Sequence, residues 1–122
     1  MRVSCATMLA IVLLGWESQV RAQAACAPPP VWSAAAARPG RPFQEMSACL
    51  PSEAYKQRGH HFPVDSLANG IAAICEVEID KIEGSQFFFD DLRRPESERR
   101  AREDYVMQHA TAAAKQYGNC PG

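Results

Sequence analysis

Cys49 and Cys75 stand on two apolar patterns with a turn between them, and this arrangement limits the chain more than any other feature. The turn carries Gly59 and Pro63. Before it, Phe43, Met46 and Leu50 fall at i, i+3 and i+7, and Cys49 adjoins their stripe. After it, Leu67, Ile71, Ile74, Cys75, Ile79 and Ile82 recur at helical spacing. Two helices whose apolar faces each carry a cysteine can meet where the sulfurs do, as a stapled helical hairpin. Closing such a loop of about 26 residues contributes roughly 3 kcal/mol by chain entropy.

Oxidation of those cysteines requires export, and the N-terminal sequence predicts it. Arg2 supplies a positive start, Val3 to Gly15 forms an apolar run of signal-peptide length, and the sequence then turns polar. Ala22-Gln23-Ala24 fits the small-x-small cleavage rule, with Val20-Arg21-Ala22 as second choice. Residues 1–24 are therefore read as a signal peptide, 25–41 as a Pro/Ala-rich arm and 42–122 as a helical domain, periplasmic or secreted, with no transmembrane segment in the mature chain. The competing readings are an uncleaved anchor and a lipoprotein acylated at Cys26. The latter has Gln23 where an apolar residue is expected.

Cleavage removes Cys5 and leaves Cys26, Cys49, Cys75 and Cys120. Four cysteines in a small exported chain point to two disulfides with three possible connectivities. The apolar faces favour Cys49 with Cys75, which leaves Cys26 to join Cys120. No closely spaced cysteine pair suggests structural zinc. Without Arg2, Arg21 and Glu17, 11 of 13 basic and 13 of 14 acidic side chains remain, which is no footprint for nucleic acid. Arg93, Arg94, Arg99, Arg100 and Arg102 are interleaved with Glu96, Glu98, Glu103 and Asp104, as on a solvated helix face.

Taken in order, the mature chain opens with a proline-rich arm that cannot form a continuous helix. Val31 and Trp32 are its only large apolar groups, and they are expected to dock on the helices. A first helix should run from about Pro42 to Arg58, either kinked or broken and restarted at Pro51, and stopped by Gly59. A second begins after Pro63 with Asp65 or Ser66 as cap. Gly70 lowers its helix propensity, which suggests a close backbone approach there. Cys75 to Ile79 alternates like a strand, but its flanks are helical in period. Gly84-Ser85 marks a kink or break. A third helix starts near Pro95 and uses Tyr105, Val106, His109, Ala112, Ala113 and Tyr117 as its face, ending at Gly118-Asn119. The fold class is all-α: a disulfide-stapled hairpin plus a third helix, a small three-helix bundle behind a Pro-rich arm.

Chemistry is sparse. The chain has no GxSxG, HExxH, phosphate-binding glycine loop or CxxCH, and no cofactor or metal is implied. His60 and His61 are adjacent, which favours a solvated turn over a metal site, and His109 is the only other imidazole. Ser66 lies near His61 without a supporting motif. Phe87, Phe88 and Phe89 cannot all face one way; two are expected to pack against Trp32 and Tyr105, and the cluster is the candidate partner surface. Asp90-Asp91 reads as a charge cluster beside Arg93 and Arg94.

Cys49-Leu50 on one arm and Ala72-Ala73-Ile74-Cys75 on the other, followed by a charged helix, make the chain resemble small helical proteins exported by alphaproteobacteria. The likeness spans about Met46 to Tyr117; Pro51 and Phe87 to Phe89 depart from it. It implies the helical fold and export and, since that group has no assigned activity, no function. The expectation is a non-enzymatic interaction protein that binds an envelope or extracellular protein. The alternatives are an acid-stress type periplasmic chaperone, triggered by protonation of Asp90, Asp91 and the histidines, and a metal-dependent enzyme at His60 and His61.

Overall fold

The computed structural model describes residues 26–84, 87, 88 and 93–122. The predicted leader, with Cys5 and Ala24, lies outside the described residues, as do Phe89, Asp90 and Asp91. Among the described residues the chain is all-helical, with α1 at Pro42–Lys56, α2 at Val64–Glu83, α3 at Glu96–Tyr117 and a 3₁₀ turn at Ala34–Ala36. Every pair of the three helices is in contact.

The core is small. Met46, Cys49 and Leu50 from α1, Ile71, Cys75 and Ile79 from α2, and Val106 from α3 are fully buried. Ala110, Ala113 and Ala114 give the middle of α3 a shallow face that allows close approach, and the buried Tyr117 adds bulk at its end. Ala112 falls outside that face and is exposed. Cys49 joins Cys75 across the α1–α2 contact, with 5.9 Å between Cα atoms. Cys26 joins Cys120, at 5.6 Å, and ties the arm to the foot of α3. The Cys26 sulfur is thus held in a disulfide, where an acylated cysteine would carry its lipid.

α1 passes through Pro51 without a break. The missing N–H removes one ladder bond, but Cys49, Leu50 and Ala54 are buried on both sides of the proline, and this packing keeps the helix continuous. The helix ends at Lys56 rather than Arg58. α2 starts one residue before Asp65, with Pro63 in the N-cap position and no side-chain cap. Neither Asp65 nor Ser66 caps it. Asp65 instead sits in the first turn, where a carboxylate complements the helix dipole. Gly84 stops α2 in the left-handed region, at φ 67°.

The close approach expected at Gly70 occurs elsewhere. A Cβ on Gly70 would meet nothing within 4 Å, whereas one on Gly118 would lie 3.2 Å from Leu67 Cδ2. Gly118 therefore lets the end of α3 sit against α2, while Gly70 faces open space.

The arm docks through one of its two apolar groups. The Trp32 indole Nε1–H donates to Glu45, 2.7 Å, and its backbone N–H donates to Ser52 Oγ, 3.1 Å. Gly40 N–H donates to the Glu83 carboxylate at 3.0 Å. Val31 stays in solvent, 89% exposed.

Candidate functional site

Two surface features stand out, one aromatic and polar, the other apolar. The first forms where the chain after α2 returns over α1 and α3. Phe43 is the hub: its ring centroid lies 5.4 Å from Phe87, 5.6 Å from Phe88 and 4.8 Å from Tyr105, each pair edge to face. These two rings were expected against Trp32 and Tyr105; they pack instead on Phe43, which carries Tyr105 on its own edge, while Trp32 is engaged by Glu45 and Ser52. The Tyr105 hydroxyl donates to the Phe43 carbonyl, 3.2 Å, and also pairs with Ser47 Oγ.

Phe87 and Phe88 are half-buried and held on several sides. Arg102 places its guanidinium 3.8 Å from the Phe87 ring centre and donates to the Phe87 carbonyl at 2.8 Å. The same guanidinium donates to Glu98, 2.8 Å. Phe88 N–H donates to Asp80 Oδ1, 2.9 Å. Beside these rings lies a cleft of about 450 Å³ bordered by Glu76, Arg94, Arg99, Arg102 and Glu103.

Glu76 is the one strongly perturbed acid of this cleft. Half-burial, and then the neighbouring charges of Asp80 and Glu103, push its carboxyl up from 4.5 to about 7. The folded chain therefore holds a proton that the unfolded chain releases between these two pH values. The contribution of Glu76 to stability is fully present below pH 4.5 and is lost as pH rises through about 7. With allowance for solvent screening at a half-buried group, the loss is about 1–2 kcal/mol. Glu76→Gln is expected to raise stability at pH 8 by about that amount and to flatten the profile, read by urea denaturation across the range.

The second feature is a groove of about 280 Å³ along the outer side of α2, lined by Gln57, Phe62, Ser66, Leu67, Gly70, Ile71 and Ile74. Among the described residues no charged side chain lines it. Phe62 is 46% exposed, Ile74 43% and, one turn further along the helix, Val77 36%. Ile74 was expected in the core stripe, and its exposure is a correction. Helix geometry carries the signal: at 100° per residue Ile71 and Ile79 lie about 40° either side of Cys75, Ile74 about 100° away and Val77 about 160° away. Gly70 makes the notch in the strip's centre.

The histidines do not converge. His60 stacks on Phe62, with ring centroids 5.5 Å apart, and its Nδ1 meets the Gln57 carbonyl at 3.1 Å. His61 is exposed. His109 is far along α3, where its Nδ1–H donates to the Tyr105 carbonyl, 2.9 Å. Among the described residues no three His, Cys, Asp or Glu side chains are placed to hold a metal ion. No helix among them is long and apolar enough to cross a membrane.

Comparison of the chain with protein-family models, with curated proteins and with solved structures finds no match.

Proposed function

We propose that the protein is an exported, non-enzymatic interaction protein of the cell envelope, and that its contact face is the outer strip of α2. One observation carries this reading. Phe62 and Ile74 are left in water along a groove whose described lining is uncharged, around a glycine notch, with the exposed Val77 one turn beyond, while Leu67, Ile71 and Ile79 of the same helix are buried. Water-exposed apolar side chains gathered on one helix face favour burial against a second protein surface. The two disulfides support an oxidising compartment, in line with the predicted leader.

The Phe87–Phe88 region supports this role less well. Both rings are packed edge to face, and their backbone groups are bonded to Arg102 and Asp80. An acid-triggered chaperone would need the fold to loosen as pH drops. Glu76 acts in the opposite sense, since its protonation stabilises the folded chain.

A photo-crosslinking residue placed at Ile74 in the exported protein tests the contact face, with Gln108 on the exposed side of α3 as control. A discrete crosslinked species from position 74 and none from 108 is expected. Equal or absent crosslinking at the two positions would remove the contact face.

A further inference from the structure

The outer strip of α2 carries a projection and a recess one helical turn apart. Ile74 projects, 43% exposed, and four residues earlier Gly70 leaves space in which an added Cβ would touch nothing within 4 Å. A surface that joins two identical chains across a two-fold axis must be complementary to itself, so each copy must supply both the projection and the recess. This strip does.

We infer that the occupant of the strip is a second copy of the chain, with the two α2 helices antiparallel and Ile74 of each seated at Gly70 of the other. The inference rests on reading this strip as a contact face. It follows that Ser66 lies at the level of Glu78 of the other copy, and Pro63 at the level of its Lys81.

Charge supports the antiparallel direction. The N-terminus of α2 has no side-chain cap. In the antiparallel pair the Glu78 carboxylate of the other copy approaches the exposed N–H groups of that first turn at Ser66, about 100° round the helix from Asp65, the first-turn carboxylate that already complements the dipole. Lys81, whose side chain is 69% exposed, comes to the level of the Phe62 ring that stacks on His60. Its ammonium meets an aromatic face there rather than another cation. In a parallel pair Glu78 would meet the carbonyl end of the other helix and face a second Glu78. Within the strip, Phe62, Ser66, Gly70, Ile74 and Val77 are uncharged, and the 11 basic and 13 acidic side chains left after removal of the leader nearly balance, which offers little repulsion between copies.

Sedimentation equilibrium of the oxidised protein across the micromolar range tests this. The expected result is a monomer–dimer equilibrium that Ile74→Asp and Gly70→Leu each weaken by at least about tenfold. The first substitution would bring two like charges together in place of the apolar contact, and the leucine of the second would fill the recess. Both positions are exposed on the monomer and helical, so far-UV circular dichroism and urea denaturation should show each variant folded. A monomer at every concentration overturns the inference, and so does a dimer that neither substitution weakens. A monomer in the centrifuge that still crosslinks to a different protein from position 74 in cells overturns the second copy as occupant and leaves the contact face standing.

Discussion

Replacing Cys49 and Cys75 together with alanine is expected to lower the unfolding free energy by about 3 kcal/mol. The disulfide spans 26 positions in sequence, and removing it returns the entropy of that closed loop to the unfolded chain. Both cysteines are fully buried between α1 and α2, so the alanines also leave small voids where the sulfurs packed. Against a total stability of the order of 5–10 kcal/mol for a small domain, this is a large fraction. At about 4–8 °C per kcal/mol for a domain of this size, the midpoint should fall by about 12–24 °C, read by calorimetry. The thin face of α3 makes the loss hard to offset. Between Val106 near its middle and Tyr117 at its end, the buried face of α3 consists of Ala110, Ala113 and Ala114.

The disulfide framework was legible because pattern and chemistry agreed. Each cysteine of the 49–75 pair lies on an apolar stripe, so the faces that must meet for hydrophobic reasons bring the sulfurs together. Cys26 and Cys120 were then left to each other, as found. Helix boundaries followed where proline or glycine sets them: Pro42 opens α1, Gly84 closes α2, and Tyr117 precedes Gly118 at the end of α3.

What was not legible depended on contacts between distant parts of the chain. Phe43 belongs to the first-helix stripe by spacing, yet it is 37% exposed and serves as hub for the rings of Phe87 and Phe88, far along the chain. Nothing local to Phe43 indicates that the chain beyond α2 returns to it. The close approach falls at Gly118 rather than Gly70 for the same reason. A glycine inside a helix invites the inference of close packing, but only the path of α3 decides which glycine meets a neighbour. The exposed outer strip of α2 is a different case. Its signal is local, since Ile74 and Val77 point well away from Cys75 by helix geometry, but Ile71, Ile74 and Ile79 all satisfy helical spacing, so spacing alone does not separate the two faces.

α2 has two apolar faces in different surroundings, one filling the core and one left in water. Urea denaturation of Ile71→Ala and Ile74→Ala, in dilute samples where self-association is negligible, tests that division most directly. Ile71 is 1% exposed between the helices, and its truncation should cost about 2–4 kcal/mol through lost burial and the cavity left behind. Ile74 is 43% exposed, and its truncation should cost no more than about 1 kcal/mol, part of it offset by the higher helix propensity of alanine. Losses of similar size at the two positions would place Ile74 in the core and contradict the division.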